Sequence, residues 1–373
     1  MKIGITCYPT YGGSGVVATE LGKRLAQAGE EIHFISYALP YRLSGVTPNI
    51  FFHEVEVMRY PLFEYPPYAL SLVSKMVEVV ERYQLDLLHV HYAIPHATSA
   101  YLAQQILGNR NLKFITTLHG TDITLIGSDP SFYTITKFSI ENSSGITAVS
   151  NYLKRETESV FKINKPIEVI YNFIPIEITV PSNKKELRKN FATSDEYILT
   201  HISNFRPVKR VPDLIPILKS VLKHKKVKLL MVGDGPDRYV AEELCRREKL
   251  CQHIHFLGKL ENIQDILAIS DLVVIPSEEE SFGLVALEGM AYGVPCISTN
   301  VGGLPEVNRH GETGFLVNVG DVQAFSESII AVLSDTALAR KMSESGREIA
   351  LAEFSPAKII PQYMNFYNKI LRA

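Results

Sequence analysis

Two doubly wound α/β domains with Rossmann-like parallel sheets are the fold this sequence predicts, and three observations carry the prediction. Short apolar runs alternate with helix-length stretches along the chain, the pattern of β-α-β units whose sheets are covered on both faces. The series begins twice, at Lys2 and again at Tyr197. The length of 373 residues exceeds one ordinary core. It matches two domains of about 150 to 200 residues.

The first series opens with the strand Lys2-Ile3-Gly4-Ile5-Thr6-Cys7, a loop from Tyr8 to Gly15, and a helix from Val16 to Ala28 that Gly29 stops. Further strands are predicted near Ile32 to Ile35, Leu87 to His91, Lys113 to Leu118 and Gly145 to Val149, and Lys165 to Ile178 reads as a crossing between domains. The second series holds Tyr197 to Ile202, Val227 to Val232, His255-Phe256-Leu257, Leu272 to Pro276 and Pro295 to Ser298. After Pro276, Phe282 to Tyr292 is rich in helix formers, with Ser281 predicted as N-cap and Gly293 and Pro295 as the stop. Ligands of such sheets bind beyond the carboxyl ends of the strands. The loops that follow strands therefore carry the functional argument.

Composition excludes several classes. A hydrophobic fraction of 46% against 21% charged residues fills two interiors and excludes disorder. A net charge of −2 gives no basic footprint for nucleic acid or an anionic membrane. No apolar run reaches the eighteen or so residues of a spanning helix, and Met1-Lys2 leads straight into a strand, so the expectation is a cytoplasmic, soluble protein. Cys7, Cys245, Cys251 and Cys296 show no C-x-x-C pairing, which predicts reduced, mostly buried thiols.

The most informative segment is Glu280 to Glu288, two carboxylates eight residues apart with a helix start between them. Amides of Ser281, Phe282, Gly283 and Leu284 at that start favour a phosphate. Glu288 lies roughly 8 Å further along the helix, a distance on the scale of pyrophosphate to ribose. A carboxylate there accepts from vicinal hydroxyls, and Glu280 is placed for hydroxyls beyond the phosphates. Carboxylates at a fixed spacing are common, so the pair alone is more readily read as two solvated residues beside an ordinary helix. Four more loops add weight. Gly12-Gly13-Ser14-Gly15 opens a helix after the first strand, where Gly13, Ser14 and Gly15 allow close backbone approach to a phosphate. It departs from G-x-G-x-x-G, and Ser36-Tyr37-Ala38 supplies no acidic residue for a dinucleotide ribose, which argues against a dehydrogenase. His119-Gly120-Thr121-Asp122 follows one strand; Asn204 to Arg210 follows another, with Arg206 and Lys209 suited to a diphosphate. Gly233-Asp234-Gly235-Pro236 reads as a structural turn.

Those segments, with Phe256-Leu257-Gly258, Ala291-Tyr292-Gly293-Val294-Pro295 and Gly302-Gly303-Leu304-Pro305-Glu306, stand in the order found in the retaining GT-B glycosyltransferases of family GT4, and the resemblance covers nearly the whole chain. The stretches Ile3 to Gly15 and His89 to His96 resemble most the branch of that family that glycosylates L-malate at the first step of bacillithiol biosynthesis. One departure stands out: many GT4 members separate the phosphate-binding Arg and Lys by four residues, whereas two lie between Arg206 and Lys209. Arg210 stays open as the alternative to Lys209.

The resemblance implies two domains facing a central cleft, and retaining transfer of N-acetylglucosamine from UDP-GlcNAc to the hydroxyl of L-malate. It implies Glu288 on the ribose, Glu280 with the Phe282 and Gly283 amides on the sugar, Arg206 and Lys209 on the departing diphosphate, Phe256 to Lys259 with Gly258 beside the uracil, and His119 against the donor sugar. His119, Glu280, Arg206 and Lys209 are thus the expected catalytic set, with no cofactor and no metal. Malate carries two carboxylates, and Ser14, Tyr92, Thr117, Asn151 and Arg155 are its expected contacts in the first domain. The Tyr- and Pro-rich loop Tyr60 to Tyr68 reads equally as a packed loop, a subunit contact or an acceptor lid, and a homo-oligomer is left open. The expected domains are 1–166 with 355–373, the final amphipathic helix returning to the first domain, and 167–354 for the UDP-sugar. A GT4 transferase with a lipid or polysaccharide acceptor and a UDP-sugar epimerase or binder are the rival readings.

Overall fold

The computed structural model describes residues 1–10, 12–43, 47–58, 61, 64–108, 112–174, 178 and 181–373. The chain forms two compact units, Met1–Pro175 with Pro356–Ala373, and Ile176–Ser355.

The first unit is a seven-stranded parallel sheet: β1 (Lys2–Thr6), β2 (Glu31–Ser36), β3 (Ile50–Glu54), β4 (Leu87–His91), β5 (Lys113–Leu118), β6 (Gly145–Ala148) and β7 (Ile167–Val169), in the order β3-β2-β1-β4-β5-β6-β7. Its central strands are apolar because both faces are covered. Successive residues point to opposite faces, so Phe34, Leu87 and Ile115 join one core while Ile35, Leu88 and Phe114 join the other. The edge strand β3 is only half-buried, as one covered face allows. The last helix, Pro356–Arg372, lies on the first of these cores with the helix Gly13–Gln27. Ile359, Tyr363, Phe366 and Tyr367 form its buried stripe at helical spacing. Burying four such side chains is worth roughly 6–12 kcal/mol as an upper bound, comparable with the net stability of a domain. That helix is therefore structural to the first unit rather than an appendage.

The second unit repeats the plan with β8 (Tyr197–Ile202), β9 (Val227–Val232), β10 (Ile254–Gly258), β11 (Leu272–Ile275), β12 (Cys296–Thr299) and β13 (Gly314–Val317), in the order β10-β9-β8-β11-β12-β13. Ile198 and Leu230 enter one core, and their neighbours Leu199 and Leu229 the other. In both sheets the strand order reverses beside the first strand, between β1 and β4 and between β8 and β11. Ligands of doubly wound sheets bind at that switch point.

Two expectations need correction. The boundary expected between 166 and 167 falls later in the chain, because Ile167–Val169 pairs in parallel with β6 and completes the first sheet. What remained of the expected crossing, 170–178, lies partly outside the described residues. Nor does Ser281 cap the helix after β11, which runs Leu284–Ala291 with Gly283 at its N-cap. Gly283 takes φ +95°, and a Cβ there would come within 2.7 Å of the Leu304 side chain. The chain enters the helix through a left-handed residue that only glycine adopts cheaply.

Candidate functional site

In the second unit the loops after β8 and β11 meet. The amide of Glu278 donates to the Val208 carbonyl at 2.7 Å, and the carbonyl of Glu280 accepts from the Gly303 amide at 2.8 Å. So held, Lys209 Nζ lies 2.5 Å from Glu280 Oε1, which also accepts from the Ser277 hydroxyl at 3.2 Å. Arg206 Nε is buried and has no hydrogen-bond partner among the described residues. Burying an unmade donor costs about 1–3 kcal/mol, more for a charged group, so this arginine is suited to an anion. Arg210 turns away: its φ is +50° and its Nε donates to Asp213 at 2.8 Å. Of the two cations, Lys209 meets Glu280 and Arg210 pairs with Asp213.

The other expected donor residues lie on the helix after β11, at its mouth and at the end of β10. Glu288 is 4% exposed on the inner side of the helix Leu284–Ala291. Leu284 heads that helix, whose first amides lack intrahelical partners. The Phe282 side chain is buried, its ring edge-on to Phe354, so it anchors the loop while its amide stays at the helix mouth. Gly258 ends β10 at φ +68° and its carbonyl accepts from Gly233, which makes the Gly233 turn structural.

Sequence reasoning missed His201. It is buried in β8, its Nδ1 2.9 Å from the Val274 carbonyl and its Nε2 2.8 Å from Ser203 Oγ. The carbonyl can only accept, so Nδ1 carries the proton and Nε2 accepts from Ser203. Burial pushes its pKa down to about 4, partly offset by that carbonyl bond. The neutral ring ties β8 to β11 beneath the Arg206 loop.

In the first unit the loops after β1 and β4 meet through Ser14 Oγ and Tyr92 Oη at 2.6 Å. Tyr92 holds φ +87°, a strained backbone for a non-glycine residue. At Gly15 the space of a Cβ is taken by the carbonyls of Tyr8 and Thr10, 2.6 and 2.7 Å away. This glycine lets the loop pack on itself, a reason different from the phosphate approach expected of it. Gly13 begins the helix Gly13–Gln27.

His119 is half-buried after β5, and its Nε2 lies 2.8 Å from Nδ1 of His91. Burial, then His96, pushes the His119 pKa down to about 3, so the ring is neutral at pH 7. Asp122, itself buried, receives amide hydrogen bonds from Ala93 at 2.8 Å and Gly120 at 3.0 Å and so fastens the β5 loop to the β4 loop. Burial raises its pKa against these amide bonds.

Thr117, expected to contact malate, is a buried residue of the sheet. It is fully enclosed, its hydroxyl 2.7 Å from both His89 Nε2 and Thr147 Oγ1. As a residue of the central strand β5 it is interior by position. Asn151 and Arg155 are exposed on the first turns of the helix Asn151–Phe161, one helical turn apart, and Asn151 donates to Tyr171 Oη at 2.7 Å. Of the loop 60–68, Tyr68 begins the helix Tyr68–Tyr83 and places its hydroxyl 3.4 Å from His96 Nε2, while residues 60, 62 and 63 lie outside the described residues.

Two family models match the chain: that described as Glycosyltransferase Family 4 over residues 11–178, and that described as Glycosyl transferases group 1 over residues 182–349. The N-acetyl-alpha-D-glucosaminyl L-malate synthase of Bacillus anthracis is 52% identical over all of this chain and 98% of its own length. This chain belongs to glycosyltransferase family 4. An uncharacterized glycosyltransferase of Methanocaldococcus jannaschii is 28% identical over 97% of this chain and 96% of its own. Among solved structures, sucrose-phosphate synthase from Thermosynechococcus elongatus superposes with TM-score 0.82 over 100% and 99% of the two chains at 23% identity. A glycosyltransferase from Rickettsia africae superposes with TM-score 0.79 over 100% and 98% at 26% identity. The fold is GT-B and the protein is a glycosyltransferase.

Among the described residues of this family 4 enzyme, no group of three or more His, Cys, Asp or Glu side chains could hold a metal ion. No helix among them is long and apolar enough to cross a membrane. Cys7, Cys245 and Cys296 are buried free thiols, and Cys251 is an exposed one.

Proposed function

We propose that this glycosyltransferase moves N-acetylglucosamine from UDP-N-acetylglucosamine to the hydroxyl of L-malate with retention of the α configuration, the first step of bacillithiol biosynthesis. The 52% identity over the full chain to the B. anthracis malate synthase carries the choice of substrates. The buried, unpartnered Arg206 donor beside the Lys209–Glu280 pair supports the chemistry. As the bond from the sugar C1 to the β-phosphate oxygen breaks, negative charge grows on the diphosphate. Arg206 and Lys209 stabilise that charge, the form of catalysis that preset cations provide. Lys209 would leave Glu280 for the diphosphate, freeing Glu280 for sugar hydroxyls, while Glu288 takes the ribose. The malate hydroxyl forms the new bond to C1, and its proton passes to the leaving phosphate oxygen. Two carboxylates astride the bond, as glycosidases use, are not needed.

In this reading the reaction needs no metal, because protein cations stand in its place, and it runs in the cytoplasm on two water-soluble substrates. His119 contacts the transferred sugar, and Ser14, Tyr92, Asn151 and Arg155 serve malate. The experiment is UDP release from UDP-N-acetylglucosamine with and without L-malate, repeated with EDTA. Malate-dependent, EDTA-resistant release is the expected result. Release without acceptor would point to an isomerase or hydrolase, no release to a binder, and loss with EDTA would remove the metal-free step.

A further inference from the structure

His91 has no part in the function described so far, yet it is a fully buried histidine in contact with the half-buried His119. It ends β4, and the parallel register sets it opposite Thr117, two residues before His119. The two rings stack with centroids 5.0 Å apart, and His91 Nδ1 lies 2.8 Å from His119 Nε2. One of these nitrogens must donate and the other accept.

The surroundings of His91 decide which. Its Nε2 is buried with no hydrogen-bond partner among the described residues. The neighbouring His89 ring, 4.5 Å away, has both nitrogens engaged, Nε2 with Thr117 at 2.7 Å and Nδ1 with Tyr367 of the last helix at 2.8 Å. His96 uses its Nδ1 on the His91 carbonyl at 2.5 Å. A proton on His91 Nε2 would thus be a buried N–H without an acceptor, which folded proteins avoid more strictly than a bare lone pair. The remaining arrangement puts the His91 proton on Nδ1, aimed at His119. Which nitrogen of a histidine is protonated is set by the bond the other one makes.

We propose that His91 is a positioning residue: its Nδ1–H donates to His119 Nε2 and fixes His119 as the Nδ1–H tautomer, which presents a single hydrogen-bond donor to the transferred sugar. This rests on the reading that His119 contacts that sugar. A lone imidazole prefers the opposite tautomer, so the arrangement is imposed by the protein. Removing the donor at position 91 lets His119 relax to Nε2–H and turn an acceptor toward the ligand, with the ring still present.

The test is long-range proton–nitrogen NMR on the full-length protein labelled at histidine, with His119 assigned through the signals missing from His119→Gln. The expected wild-type proton is on His119 Nδ1, and in His91→Leu it moves to Nε2. The same variant should lose about ten- to a hundredfold in kcat, while KM for UDP-N-acetylglucosamine changes less than about threefold. His91→Asn, whose amide nitrogen takes the place of Nδ1, should recover to within about threefold of wild type. A wild-type His119 protonated on Nε2 overturns the proposal without any variant at position 91. So does His91→Leu with unchanged kcat where His119→Gln is inactive. If His119→Gln keeps full activity, the sugar contact of His119 is what fails, and the tautomer of the wild-type ring still decides whether His91 sets it.

Discussion

Ser14 joins Tyr92 across the switch point of the first sheet, and Lys209 joins Glu280 across the matching point of the second. The strand orders around the two points are the same, with β1 and β4 in one unit and β8 and β11 in the other. One fold therefore presents a neutral hydroxyl pair in one copy and an ion pair in the other. Each bond is worth on the order of 1 kcal/mol, so a ligand that offers better partners can replace either. The charged loops suit a diphosphate. The neutral ones, backed by His91, His96 and His119, offer directional donors and acceptors and little net charge. A topology that fixes where a ligand binds leaves open what it is, and the loop residues decide that.

The widest expected difference between the units is in acid. His53 and His96 are held at about 4 and His89 and His119 at about 3, each chiefly by burial, and His33 and His91 are lowered as well. All six are in the first unit. In the second, burial holds His201 at about 4 and lowers His255. A group whose folded pKa lies below its unfolded value of about 6.5 contributes stability that is complete above 6.5 and is lost as pH falls toward the folded value. Each such histidine removes about 1.4 kcal/mol per pH unit in that window. Hydrogen exchange between pH 7 and 4.5 should therefore show β4 and β5 losing protection before β8 and β11. Loss in the opposite order would break the comparison.

Activity should separate the units next. Arg206→Ala and Lys209→Ala are each expected to lower kcat by roughly 10²–10³, the scale of removing one stabilising donor from a developing anion. Arg155→Ala should raise the KM for malate about tenfold and leave that for UDP-N-acetylglucosamine within about twofold, a change on the scale of one lost charged hydrogen bond. Tyr92→Phe removes only a hydroxyl partner and should cost about threefold to tenfold in malate kcat/KM. Steady-state kinetics with each substrate varied in turn checks all of these. An Arg155→Ala effect equal on both substrates would remove that residue from the acceptor side.

The strands were legible because burial on both faces writes continuous apolar runs, as in Leu272 to Ile275. So was the order of the loops, since chemistry clusters after strands. The cross-loop partners were not: Lys209 and Glu280 lie 71 residues apart, Ser14 and Tyr92 78, and no spacing rule reaches that far. The burial of Thr117 was not legible because a hydroxyl near a strand end looks the same whether its side chain points outward or into the core, and the faces alternate residue by residue. Gly283 was passed over for Ser281 because a serine cap is the commoner signal. The short strand β7 carries only Ile167 as a fully buried residue and so leaves almost no apolar run to detect.

The smallest expected effect sharpens the comparison most finely, because it concerns two adjacent cations. Arg210 spends its Nε on Asp213 three residues later, in a partly exposed pair worth on the order of 0.5 kcal/mol. Lys209, one residue before it, reaches across to the β11 loop. Arg210→Ala should therefore leave kcat within about twofold and barely move the melting temperature, while Lys209→Ala removes most of the activity. Equal losses would mean that the diphosphate draws on both cations and that the Asp213 pair opens on binding. A loss confined to Arg210→Ala would move the second cation of the clamp from Lys209 to Arg210, with three residues between it and Arg206.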